Sequence, residues 1–195
     1  MSEPGDARRR ITLIVGILVL GVLIVLFLPA VPNAVKQSPT TQCANNVRHL
    51  VLGVLMYCQD YDGYAPEELH CLLPYVNNEW RVFLCPSDAK SEEELQHIRE
   101  NLARVDVFSS YQILGGFDIR RLTNPAQVMV VYERATWHEK PRAGRNAGFA
   151  DGHVEFLPPQ RFRELHDYSL EAIEKAREKS AQEGASGDQE TSPPL

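Results

Sequence analysis

The longest apolar stretch of the chain comes first. Residues 11–31 read ITLIVGILVLGVLIVLFLPAV and contain no charged side chain. At about 1.5 Å per residue, a helix of that length spans roughly 31 Å, the thickness of a bilayer's hydrocarbon core. The run is longer than the apolar centre of a signal peptide. The nearest small-residue site, Pro32-Asn33-Ala34, has proline where a small side chain belongs. The pattern therefore predicts an uncleaved transmembrane helix over residues 11–31. Arg8, Arg9 and Arg10 abut its start, and Lys36 is the nearest base beyond its end. The positive-inside rule then puts residues 1–10 in the cytoplasm and everything from Pro32 onward outside.

After a proline-broken linker (32–40) the period changes. Val47, Leu50, Val51, Val54, Leu55 and Cys58 recur at helical spacing and form one apolar stripe. This predicts an amphipathic helix from about Thr40 to the turn Asp60-Tyr61-Asp62-Gly63, with Gly63 in a left-handed cap. Residues 66–76 read as a short helix with Leu69, Leu72 and Leu73 inward. Ser91-Glu92-Glu93-Glu94 is a capping box, and Leu95, Ile98 and Leu102 mark the buried side of the helix it opens. Strands follow over 110–114, 128–132, 146–150 and 153–157, the second a β-branched run. Between the last two, Asp151-Gly152 predicts a hairpin with a two-residue type I′ turn. Beyond Pro158-Pro159, residues 161–180 read as a charged, solvated helix with few apolar anchors (Phe162, Leu165, Leu170, Ile173). Residues 181–195 read as a disordered tail. The expected fold class is α+β: an N-terminal transmembrane helix, then an extracytoplasmic domain (41–160) in which an amphipathic helix packs on an antiparallel β-sheet.

Charge sharpens this picture. The chain carries a formal net charge of −6, whereas the first ten residues are slightly basic. An acidic body lacks the basic face that nucleic acid requires, so nucleic acid is excluded as a partner. The lipid bilayer is the partner the pattern does imply.

Four cysteines, Cys43, Cys58, Cys71 and Cys85, lie in the outer portion. An even count in an oxidising compartment points to disulfides. Cys43 and Cys58 share one predicted helix and lie about 22 Å apart along its axis, too far for a bridge between them. Two pairings remain: 43–85 with 58–71, which is preferred, or 43–71 with 58–85. The spacings fit no zinc-ligand pattern.

Five segments in order carry a family resemblance. Cys43-Ala44-Asn45-Asn46-Val47-Arg48 leads into Met56-Tyr57-Cys58-Gln59-Asp60-Tyr61-Asp62-Gly63-Tyr64-Ala65-Pro66. Leu73-Pro74-Tyr75-Val76 and Phe83-Leu84-Cys85-Pro86-Ser87-Asp88 follow. Phe149-Ala150-Asp151-Gly152-His153-Val154 closes the series. Over residues 8–157 the chain resembles the type II secretion pseudopilin-like proteins of planctomycete-type bacteria, the prepilin-type H-x9-DG (processing-associated) family. The resemblance implies a pilin-like fold, an inner-membrane location, and other pilin-like or secretion-system envelope proteins as partners. The chain departs from that pattern at three places. Arg10 stands where the prepilin cleavage site has glycine before Ile11, and Val15 stands where it has glutamate. Pro141 occupies the position of the motif's histidine, with His138 three positions earlier. A carboxylate in a bilayer needs a partner and a purpose. Without the cut there is no new amine to pair with it, so the joint loss is coherent with an uncleaved anchor.

Candidate chemistry is sparse. His138, Asp151, His153 and Glu155, with Glu133, form a conceivable metal or acid–base set, but turn and solvated-strand roles account for them. Asp60-x-Asp62-Gly63 lacks the remaining oxygens and closing glutamate of a calcium loop. No catalytic, cofactor-binding or metal residues are therefore assigned. The expected function is that of a non-enzymatic, membrane-anchored pseudopilin-like protein related to a type II secretion or pilus system. The alternative is a membrane-tethered envelope binding or scaffold module outside filament assembly.

Overall fold

Ser38 begins the larger of two compact units. Its Oγ accepts the Thr41 N–H at 3.2 Å and Pro39 occupies the first helical position, two features that start helices. The computed structural model describes residues 13–21, 38–90, 92–136 and 143–187. The chain divides at Gln37/Ser38 into two units. In the first, residues 13–21 are helical with exposed apolar side chains, Val15 among them. The rest of the apolar run, with Arg10 and Ile11, lies outside the described residues. Among the described residues no helix is long and apolar enough to cross a membrane.

Helix α1 (Pro39–Asp60) buries Cys43, Val47, Leu50, Val51, Val54 and Cys58 on one side. A 3-10 helix over Leu69–Val76 and a shorter one over Trp80–Phe83 pack beside it. Two short helices follow, α2 (Glu92–Glu100) and α3 (Val105–Phe108). In the α2 region Ile98 is buried, while Leu95 and Leu102 are only partly covered. Ser91, the expected cap, lies outside the described residues.

Four strands then form one antiparallel sheet in sequence order: β1 (Tyr111–Ile113), β2 (Met129–Glu133), β3 (Arg145–Phe149) and β4 (Val154–Leu157). Every residue of β2 is buried, so the sheet is covered on both faces. One face meets α1. Gly148 permits the approach, because a Cβ there would lie 2.1 Å from Val51 Cγ2. The register of β2 against β3 shifts between Met129 and Val131. Val130 and Val131 thus both join the α1 core, while Met129 and Tyr132 join a second cluster with Phe149 and Leu157.

That second cluster is closed by α4 (Pro159–Gly187), which corrects the expectation of a solvated helix ending at Ser180. Phe162, Leu165, Ile173 and Ala176 are buried, whereas Leu170, an expected anchor, is 46 % exposed. Ser169 is fully buried; its Oγ accepts the Met129 N–H at 2.8 Å and donates to Leu165 O at 2.6 Å. Helical residues 181–187 also shorten the expected tail, whose remainder lies outside the described residues.

The β3–β4 connection differs in kind from the expected one. Between the bonded pair Phe149 and His153 it has three residues, Ala150, Asp151 and Gly152, closed by Phe149 N–H to His153 O at 3.0 Å and Gly152 N–H to Phe149 O at 2.9 Å. Gly152 is the one member with positive φ, at +96°. This is the signature of an ordinary turn followed by a left-handed glycine bulge rather than a type I′ turn.

A disulfide joins Cys43 of α1 to Cys85, with Cα atoms 5.2 Å apart. Cys58 and Cys71 are free thiols, so a single bridge replaces the expected two. Cys58 turns into the core at the end of the α1 stripe. Cys71 instead sets its sulfur against His70, 3.8 Å from Nε2.

Candidate functional site

An open groove lies at the C-terminal end of α1. Tyr57, Tyr61 and Tyr64 line it together with Asp60, Asp62, Glu67, Glu68 and Cys71. The helix ends here because Asp62 and Gly63 both take positive φ, +49° and +87°, and the Gly63 N–H returns to Cys58 O at 2.7 Å. Tyr57 and Tyr61, one turn apart, stack with centroids 4.1 Å apart, and Tyr75 meets Tyr57 edge-on at 5.8 Å. Tyr75 O–H donates to Asp60 Oδ2 at 2.7 Å. That bond to the carboxylate is the main reason the phenol's pKa is pushed up to about 12. Asp60 thus anchors the Tyr75 ring beside the groove.

The groove is braced by a short pairing of Tyr64 with Asp118. Ala65 N–H donates to Phe117 O at 2.9 Å, and Gly116 N–H to Ala65 O at 3.0 Å. Asp118 is almost wholly buried and is gripped by the Arg120 guanidinium, Nε to Oδ1 and Nη2 to Oδ2 both at 2.9 Å. Arg121 Nε approaches Oδ2 at 3.2 Å. The hydrogen bonds from Arg120 hold the Asp118 carboxyl below its ordinary range, against the opposing effect of burial. A depressed folded-state pKa stabilises the fold fully above the unfolded value of about 3.9, and the contribution is lost as pH falls through the lower folded value. Wild-type protein is therefore expected to lose stability in that acid window more steeply than Asp118→Asn. Melting curves at several acid pH values test this, and parallel curves for the two proteins would refute it.

On the other wall, Glu68 precedes the Leu69–Val76 helix and Asp106 reaches across from α3. The Asp106 carboxylate accepts the N–H groups of Leu69 and His70, the latter at 3.1 Å. It thereby caps a helix that has no side-chain cap of its own. His70 Nδ1 lies 3.0 Å from Asp106 Oδ2 and 2.9 Å from Glu68 Oε2.

The sequence-derived set does not assemble in this way. His138 lies outside the described residues. Asp151 and His153 contact each other, Oδ1 to Nδ1 at 2.5 Å, within the hairpin loop, and His153 stacks on Phe149 with centroids 4.2 Å apart. Glu155 is exposed. Glu133 is buried elsewhere, accepting Asn146 N–H at 2.7 Å and Asn146 Nδ2 at 3.0 Å.

Among the described residues two groups bring three metal-ligating side chains together. Cys43, Cys85 and Glu133 form one, with both sulfurs committed to the disulfide. Glu68, His70 and Asp106 form the other. Sequence reasoning missed the second group because Asp106 is 36 residues from His70. The Glu-x-His spacing was its one local trace.

Fold and groove define an α+β protein whose bridged helix lies on an antiparallel sheet. No family model, curated protein or solved structure matches the chain.

Proposed function

We propose that this protein is a membrane-anchored, pilin-like envelope protein that acts by binding rather than by catalysis. The observation that carries the reading is an order of parts. A 21-residue uncharged run precedes a 22-residue amphipathic helix, which lies on a four-stranded antiparallel sheet. In pilin-like proteins the outer half of the N-terminal helix packs on such a sheet. The Cys43–Cys85 bridge supports an oxidising outer compartment. The groove, with its three tyrosines and four carboxylates, offers a contact surface for a partner.

Arg10 and Val15 favour a specific form of this reading, a tethered module that does not enter a filament. The test is the N-terminus and intact mass of the protein taken from native membranes. A membrane-bound chain beginning at Met1 or Ser2 supports the tethered module. A chain beginning at Ile11 restores prepilin processing and, with it, assembly. Recovery in the soluble fraction would overturn the reading altogether.

A further inference from the structure

We propose that Glu68, His70 and Asp106 form a binding site for a divalent transition-metal ion of the zinc or cobalt type. The inference rests on this cluster alone and not on the membrane reading above. Two carboxylate oxygens face a single imidazole nitrogen, with Nδ1 2.9 Å from Glu68 Oε2 and 3.0 Å from Asp106 Oδ2. The ligand atoms of all three residues lie within 4.8 Å of one another. Bonds of about 2.0–2.2 Å at tetrahedral or octahedral angles bring neighbouring ligand atoms to roughly 2.8–3.6 Å. The two separations of the imidazole nitrogen from its carboxylates already fall in that range.

The surroundings are compatible with metal ligation. Cys71 Sγ lies 3.8 Å from His70 Nε2, so it can accept the Nε2–H. That tautomer leaves the Nδ1 lone pair facing the two carboxylates. In that tautomer three acceptors converge, an arrangement a cation satisfies, whereas in the other the Nδ1–H donates to the carboxylates instead. The backbone N–H groups of Leu69 and His70 hold the Asp106 carboxylate in place, the role outer partners play around metal ligands. An imidazole nitrogen beside two carboxylates favours transition metals over calcium or magnesium, which take oxygen alone. Side-chain exposures of 62 % for Glu68 and 38 % for His70 leave room for water on the ion and a path for its entry.

The test uses the full chain without an affinity tag, stripped with a chelator and titrated calorimetrically with Zn²⁺, then with Co²⁺ to read its absorption spectrum. One ion per chain is expected. His70→Ala should weaken binding by more than the roughly 10–100-fold that loss of an outer partner causes. Asp106→Asn also disturbs the cap, so Glu68→Gln provides the cleaner variant. It should bind at least about tenfold more weakly with an unchanged melting curve for the metal-free protein. The Co²⁺ spectrum should lack a thiolate band. Absence of saturable binding, equal affinity in wild type and His70→Ala, or a thiolate band lost in Cys71→Ser would each overturn the assignment.

Discussion

Removing the Cys43–Cys85 bridge is expected to destabilise the unit that begins at Ser38 by about 4 kcal/mol, the loop-entropy value for a crosslink of this span. The two cysteines are separated by 42 residues, which enclose most of α1 and both 3-10 helices beside it. For a domain of this size each kcal/mol moves the melting temperature by about 2–4 °C, so Cys43→Ala/Cys85→Ala should melt roughly 8–16 °C lower. Neighbouring contacts soften the loss only in part. Asn46 Nδ2 still donates to Leu84 O at 2.8 Å, and Cys85 N–H still donates to Ser110 Oγ at 2.9 Å. Alkylation of the unreduced, denatured chain provides the control: it should label two cysteines, Cys58 and Cys71. In the native state Cys58 should react slowly, since burial and the nearby Asp118 charge push its thiol up to about 11. Four labelled cysteines without reductant, or a double variant that melts like wild type, would show that the bridge does not staple the fold.

The second large effect is expected at Gly148. Its added Cβ would stand 2.1 Å from Val51 Cγ2 and 3.0 Å from Val47 Cγ1. Valine in a helix is held near one χ1 rotamer, so neither neighbour can simply turn away. Gly148→Ala should cost about 1–3 kcal/mol, the usual range for overpacking, and Gly148→Leu should prevent stable folding. The mechanism makes a sharper prediction through a partner variant. In Gly148→Ala/Val51→Ala the closest clash, with Val51 Cγ2, is gone and only the tight 3.0 Å approach to Val47 Cγ1 remains, so the double variant should be more stable than the sum of the two single losses implies. Strict additivity in urea melts would mean that the glycine acts through backbone freedom instead of close approach.

The elements whose spacing matches their burial were legible in the chain. The α1 stripe from Val47 to Cys58 and the four strands fall within a few residues of their expected positions, because each buries a face with the period of its own geometry. The α4 helix was read as solvated because its buried stripe runs through Ser169 and Ala176, residues that carry little hydrophobic signal. Ser169 is inside because its hydroxyl satisfies the Met129 N–H, a need that no local pattern displays. The hairpin residues Asp151 and Gly152 were visible, but the loop's length was not. The choice between two and three residues depends on how the β3–β4 pairing closes. The Glu68, His70 and Asp106 cluster was illegible for a simpler reason, that its third member comes from a separate helix. The disulfide partner of Cys43 could be narrowed by the length of α1, yet only the packing of the Cys85 segment decides it.

The order of the cysteines along the chain has a consequence for biogenesis. Cys58 and Cys71 lie between the two bonded partners, and all four thiols precede β1. A chain whose residues beyond the anchor emerged in sequence order into an oxidising space would present Cys43 with two wrong partners before Cys85 arrives. Helix formation removes Cys58 from reach, since about 22 Å of axis separates the pair. Cys71 has no such protection. Early 43–71 pairing is then a natural kinetic trap, and escape from it requires thiolate attack and reshuffling. The yield of correctly bridged protein should accordingly depend on an isomerase or a thiol buffer, and Cys71→Ser should relieve that dependence.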